Sequence, residues 1–450
     1  MVRGLQEHSN DRQSMNGFHH IKAPVIALAF ALALAEFVLQ PVLAAETGIT
    51  SERTTDAKAA GLGERSRLTG DWGGVRSEWE AAGVNLNLEF TQFYQGLLSG
   101  TGSHSFEYGS RLDGFVDLDT AAMGLWEGGG FHSHLEYRFG NLPADMGNTF
   151  FPNNAGMGFS TDSADTLVAS SLYLSQRLGD KGSLLIGKIN ALDTLKNDFF
   201  FGGWGNNGFM NTVFAAPPSG LVPPVFFGAI ASYQVDPSMT VSLWVYDPED
   251  RPLEYWPDDL FSNGATFYLT STYSWEIGGR PTKLTATGIY STKTGTDFSS
   301  VADGFEPLEP STEKGSYSLG FQFSHLLRQN PSNPDRGWGL VVKGAISDGN
   351  PNYVQNAIIV GIGGTGLFPE RELDRFGLGY FYYDLSDALG DSLSAASKGI
   401  TFGDEQGIEA FYSYSITPWF YLTGDLQYIR PPRSTTKDAF IAALRTNIRF

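Results

Sequence analysis

The chain of 450 residues contains no cysteine. That excludes a disulfide framework and thiolate metal sites. Only 18% of the residues are charged, and the balance is acidic, with a formal net charge of −19. A nucleic-acid partner needs a basic footprint, so none is expected. Long apolar runs are scarce as well. Mean hydropathy is −0.17, and the one extended apolar run, residues 23–35, falls short of the ~20 residues that a helix needs to span a bilayer. No nucleophile elbow or comparable catalytic motif is present, so neither an enzyme nor a cofactor is expected.

What is abundant is glycine, at 54 residues, and aromatic side chains, at 14%. Together they describe many turns between half-buried strands. The closing stretch, residues 438–450, shows the pattern most clearly. Phe440, Ala442, Leu444, Thr446, Ile448 and Phe450 alternate with Arg445, Asn447 and Arg449. Period-two alternation belongs to a strand and not to a helix. A strand of about 10 residues with one apolar face crosses a bilayer in a tilted barrel. Alone in lipid it would leave its backbone groups unpaired, so it must belong to a closed barrel.

The N-terminus predicts export. Lys22 precedes the apolar run 23–35, Glu36 interrupts it, and Val42-Leu43-Ala44 supply short side chains before Ala45. This is the order of a secretory signal peptide. Residues 1–44 are read as that signal, with initiation at Met15 tidier than at Met1. Residues 45–83 are read as a periplasmic leader in which Asp71 caps a short helix over 75–82.

From Val84 the alternation recurs. On the second strand Leu112, Val116 and Leu118 alternate with Arg111, Asp113 and Asp117. On the third, Phe131, Leu135, Tyr137 and Phe139 alternate with His132, His134, Glu136 and Arg138. Further strands are predicted at 167–178, 183–190, 224–235, 239–246, 265–275, 283–291, 316–327, 337–347, 357–363, 376–384, 407–416, 419–429 and 438–450. The fold class is all-β: a transmembrane antiparallel up-and-down β-barrel of about 16 strands over residues 84–450. Predicted connections alternate between short, such as 179–182 and 417–418, and long, such as 141–164 and 191–223. That parity is the short-inside, long-outside habit of outer-membrane barrels. Two inside connections, 328–336 and 364–375, are longer than the pattern favours. Arg111, Asp113, Asp117, His132, His134, Glu136 and Arg138 are expected to line the lumen, because a charge on the lipid face costs about 2–4 kcal/mol at the midplane.

The stretch Leu68-Thr69-Gly70-Asp71-Trp72-Gly73-Gly74-Val75-Arg76, followed by Gly83-Val84 opening a strand, resembles the start of the carbohydrate-selective porin family of bacterial outer membranes, the OprB type. The resemblance extends through Gly187-Lys188-Ile189-Asn190, Phe209-Met210-Asn211, residues 215–220, Tyr246-Asp247-Pro248 and Gly361-Ile362-Gly363-Gly364. It implies an outer-membrane location, passive diffusion of carbohydrates through a water-filled lumen, and contact with outer-membrane lipid. A terminal Phe450 resembles the signal read by barrel-assembly machinery, and the resemblance leaves monomer and homotrimer open.

Three motifs bear on chemistry. Residues 361–366 match the spacing of a dinucleotide fingerprint, but Pro369 and renewed alternation deny the helix it needs; a glycine-rich turn is predicted instead. His132 and His134 share a strand face, yet no third ligand is assignable, so no metal is expected. Residues 191–223 form the third outward loop and carry Phe199, Phe200, Phe201, Trp204, Phe209 and Phe214. Loops of that length are functional or disordered, and disorder is poor in aromatics. In porins this loop narrows the barrel. Lys188, Asn190, Asp193, Lys196, Trp204, Asn206 and Asn207 are the predicted constriction and sugar-binding residues, Trp204 offering a face for C–H groups and the others polar partners for hydroxyls. The alternatives are a general non-selective porin and a barrel with an enzymatic or scaffold role.

Overall fold

A computed structural model describes residues 61–160, 165–302, 311–330, 333–397 and 400–450. The predicted signal peptide and residues 45–60 lie outside the described residues. Sixteen strands close into one barrel in sequence order, the first pairing with the last. They are β1 (Val84–Ser99), β2 (Phe106–Asp119), β3 (Gly129–Gly140), β4 (Leu167–Leu178), β5 (Gly182–Asn190), β6 (Val225–Asp236), β7 (Met239–Tyr246) and β8 (Thr266–Ile277). The second half comprises β9 (Arg280–Thr296), β10 (Thr312–Asn330), β11 (Asn333–Ser347), β12 (Val354–Thr365), β13 (Arg375–Leu385), β14 (Glu405–Thr417), β15 (Phe420–Arg430) and β16 (Ala439–Arg449). Every predicted strand has its counterpart. Each neighbouring pair is antiparallel, and the β1–β16 seam runs from Glu89↔Arg449 to Leu97↔Ile441 before a bulge.

Closure abolishes the edges, so each backbone group finds a neighbouring strand. The alternation sorts side chains as expected: on β16 Leu444 is 51% exposed and Arg445 is fully buried. All seven polar residues of β2 and β3 predicted for the lumen lie on the inward face, six of them level in the pairs Arg111↔Arg138, Asp113↔Glu136 and Asp117↔His132 and His134 level with Phe115. The absence of cysteine makes the register easy to test. His132→Cys should react with a water-soluble thiol reagent and Leu444→Cys only with a lipid-soluble one. The opposite labelling would place the strands one residue out of register, which turns every side chain to the other face.

Two sequence expectations change. The connection read over 328–336 is mostly strand, since β10 runs to Asn330 and β11 begins at Asn333. The glycines of 361–364 are not a turn: Gly361, Gly363 and Gly364 belong to β12 and stand opposite Gly379, Gly377 and Phe376 of β13. The turn follows them, where Gly366 takes φ +75°. Helical structure before β1 covers Val75–Ala81. Asp71 accepts from the Ser77 amide and hydroxyl at 2.9 Å each, although the helix N-cap position is Gly74. Arg76 lies over the Trp72 ring at 4.2 Å and donates to the Phe450 carbonyl at 3.2 Å. Residues 71–81 thereby pack on the barrel rim beside the β1–β16 seam.

The hydrophobic core of this barrel is inside it. Residues 191–224, between β5 and β6 (L3), fold into the lumen with part of residues 141–166, between β3 and β4 (L2). Phe200, Phe201, Phe209 and Phe214 of L3 are at most 2% exposed and cluster with Phe151 and Met157 of L2 and with inward residues Ile359, Phe381 and Phe411. Burying each ring contributes roughly 1.5–3 kcal/mol. The receiving wall is cut to fit. A β-carbon at Gly361 would collide with Phe200, at Gly377 with Phe209, and at Gly379 with Phe214.

Candidate functional site

L3 is pinned to the lumen wall at both ends of its aromatic core. Met210 and Asn211 donate their backbone N–H groups to the two oxygens of Glu409 on β14, at 2.5 and 2.9 Å. Arg445 on β16 donates to the carbonyls of Gly205 and Gly208 at 2.5 and 2.7 Å. Arg375 on β13 donates to Asn207 Oδ1 (3.3 Å) and to the Phe199 carbonyl (3.2 Å). L2 is held by the same device: Glu405, four residues before Glu409 on the same strand face, accepts from the amides of Phe150 and Phe151 at 2.5 and 3.0 Å. The two loops join where the Ala155 amide donates to the Met210 carbonyl at 2.6 Å.

Beneath them the charges of β2 and β3 form one buried network. Arg111 lies 2.6 Å from Asp113 and 3.5 Å from Glu136, and Arg138 pairs with Glu136. His134 sets one ring nitrogen 2.8 Å from Asp113 and the other 3.0 Å from Asp193. Ligand atoms of Asp113, His134 and Glu136 lie close enough together to hold a metal ion. The two guanidinium groups already supply the positive charge there, so the cluster reads as an ion-pair network. Arg111, Asp113, His134, Glu136 and Arg138 are all at most 2% exposed.

Beside that network a cavity of about 240 Å³ opens, lined by Trp204, Phe115, Tyr173, His132, Lys196 and the carboxylates of Glu89, Asp117 and Asp193, among others. Phe115 stacks on His134 at 4.2 Å and meets Trp204 at 5.1 Å; His132 stacks on Tyr173 at 4.8 Å. Asp193 fixes the Trp204 ring by accepting from its indole Nε1 at 2.8 Å, and it also accepts from the Ser171 hydroxyl at 2.5 Å. Pockets for drug-sized ligands run from about 300 Å³ upward, so this one suits a single sugar-sized ring.

The predicted residues divide. Asp193, Lys196 and Trp204 line the cavity. Asn206 is buried and donates to Asp113 (2.9 Å), and Asn207 accepts from Arg375. Asn190 caps the first turn of L3 and donates to Glu136, and Lys188 donates to the carbonyls of Pro252 and Glu254 at 2.7 and 2.8 Å. These four hold loops in place. Of the seven lumen residues, Asp117 and His132 reach the cavity with side chains 41% and 25% exposed; Arg111, Asp113, Glu136 and Arg138 are sealed beneath the loops, and His134 shows only its edge. The sequence gives no site role to Tyr173, Phe115, Glu405, Glu409, Arg445 or Gln427, the last accepting from the Asn211 side-chain amide at 3.2 Å. The last four carried one signal, a polar side chain on an inward strand position.

The sequence model of the carbohydrate-selective porin, OprB family, matches residues 103–450. The chain belongs to that family. The high-pH structure of Pseudomonas putida OprB superposes with a TM-score of 0.74 at 20% identity, covering 87% of this chain and all of that one. The low-pH structure of the same protein gives 0.54 at 17%, covering 86% and 99%. QuiX of Acinetobacter baylyi is 21% identical over 429 residues, 86% of this chain and 94% of its own. This OprB-family protein is thus an outer-membrane sugar porin, a channel by family and fold.

One carboxylate of the cavity is shifted from its ordinary range. Burial alone would push the Asp193 carboxyl up, but the His134 imidazole, with hydrogen bonds from Ser171 and Trp204, outweighs burial and holds it below the usual carboxylate range. A depressed folded value means that the contribution is complete above the unfolded pKa, about 3.9, and is lost as pH falls through the folded one. Sugar block of the wild-type pore should therefore hold steady down to about pH 4 and weaken below it. Asp193→Asn should be weak at neutral pH and flat across that acid range; a variant that kept the wild-type profile would remove Asp193 from the account.

Proposed function

We propose that the cavity beside Trp204 is the selectivity point of the channel, where a diffusing carbohydrate is held briefly before release. The observation that carries this reading is the pairing of an indole face, fixed by Asp193 and flanked by Phe115, with polar groups on one small cavity. An aromatic face takes the C–H surface of a sugar ring, and carboxylates and Lys196 take its hydroxyls. Each contact is modest, a net hydrogen bond giving only about 0.5–1.5 kcal/mol. A pore must release what it binds, so weakness serves it. The narrowing is the work of L3, with L2 hydrogen-bonded to it.

Current through the purified protein in a planar bilayer, titrated with glucose, tests the reading. Trp204→Ala removes a ring contact worth about 0.5–1.5 kcal/mol, so block should weaken roughly two- to tenfold with small-ion conductance equal or higher. Unchanged block in that variant would move the selectivity point elsewhere on the wall.

A further inference from the structure

The inward faces of β6 to β9 differ in kind from those of β1 to β3. Register puts Ile230 opposite Trp244, Trp244 opposite Tyr268, and Tyr268 opposite Ile289, all on the face away from the outward Leu243 and Leu269. The rings touch in sequence: Phe226 to Tyr246 at 4.6 Å, Phe226 to Trp244 at 6.0 Å, Trp244 to Tyr268 at 4.8 Å. Phe226 and Tyr246 are fully buried, the latter donating its hydroxyl to the Leu221 carbonyl of L3 at 3.2 Å. Trp244 and Tyr268 remain half-exposed.

Around these rings the wall is hydroxylated. Ser232 pairs with Ser242 at 2.7 Å, Thr266 with Ser291 at 2.9 Å and Thr272 with Thr285 at 2.9 Å. Thr270 and Thr287 stand opposite each other between the last two pairs, half-exposed. From Phe226 to Ser232, Ser242 to Tyr246, Thr266 to Thr272 and Thr285 to Ser291, every inward position is uncharged. A charged solute finds no counter-ion there, whereas a neutral sugar finds an aromatic face for its C–H surface and hydroxyls for its edge. The wall also adjoins the constriction, since Tyr173 lines the cavity beside Trp204 and packs against the cluster of Phe226, Ile230 and Tyr246.

We propose that Trp244 and Tyr268, with the hydroxyls of Ser242 and Thr270, form a second carbohydrate subsite for uncharged sugars, separate from the Trp204 cavity. The subsite rests on the sugar-porin reading but not on Trp204.

The test is current block of the full-length protein in a planar bilayer by glucose, with glucuronate as the charged probe. Trp244→Ala/Tyr268→Ala should weaken glucose block roughly three- to tenfold at unchanged small-ion conductance, and leave the response to glucuronate as in wild type. Thr270→Val, which keeps the shape and removes a hydroxyl, should weaken glucose block about two- to threefold; it keeps the test alive should the double variant fail to assemble. Trp204→Ala is run as a separate arm. Wild-type glucose block in both the double variant and Thr270→Val overturns the subsite, whatever Trp204→Ala does. Equal loss of glucose and glucuronate responses overturns its restriction to uncharged sugars.

Discussion

A channel lacking residues 199–207 will conduct more current than the wild type and will no longer separate sugars from other solutes of similar size. The segment carries Phe200 and Phe201, two of the rings seated in the lumen core, and Trp204 of the cavity. Its removal also withdraws the acceptors that Arg375 finds on Asn207 and Phe199 and that Arg445 finds on Gly205. The barrel itself does not depend on the segment, because all sixteen strand pairings lie outside it. Loss of two buried rings removes about 3–6 kcal/mol of apolar burial, all of it from the loop and the glycine-cut wall. Single-channel conductance and sugar block measured together check this. Unaltered conductance would mean that L3 does not limit the pore.

Glu409→Leu should open the pore without deleting any of it. Glu409 is fully buried and its two oxygens take the consecutive N–H groups of Met210 and Asn211. Leucine fills similar space and accepts nothing. Two buried amides are then left without partners, at about 1–3 kcal/mol each. Arg445, two strands away on β16, still holds Gly205 and Gly208, so L3 should fray at its 209–215 end and not leave the lumen altogether. The expected reading is a raised and noisier single-channel conductance with weakened sugar block, while the protein keeps its barrel in detergent by circular dichroism. Glu405→Leu, which removes the wall acceptor for the Phe150 and Phe151 amides of L2, should do the same to a lesser degree.

The strands were legible because a barrel wall with lipid on one side and polar lumen on the other enforces period two at nearly every position; Leu444 beside Arg445 states it in two residues. L3 was legible for a different reason: six aromatics in a loop have to be buried somewhere. The roles inside the loop were not. Asn206 and Trp204 look equally suited to a sugar in sequence, and only folding shows that Asn206 spends its amide on Asp113 while Trp204 keeps a face toward the cavity. The glycines of β12 misled because a glycine that makes room for Phe200 on a strand is written in the same letter as one that turns the chain. Glu409 and Arg445 could be placed on the inward face but not joined to L3, whose partner atoms lie about 200 residues away in sequence. L2 hid its part altogether, since Asn153 and Asn154, which bond to Gln95, look in sequence like ordinary loop residues.

The central claim is that a loop-built constriction in this outer-membrane barrel binds sugar weakly as it passes. The most direct measurement is the ion current of the wild-type protein in a planar bilayer at neutral pH as glucose is raised. The account predicts a saturable, fully reversible fall in current with an apparent affinity no tighter than millimolar, as a few net contacts of about 1 kcal/mol each allow. A current that falls only in proportion to the solution's own conductivity, with no saturation at any glucose concentration, would contradict it.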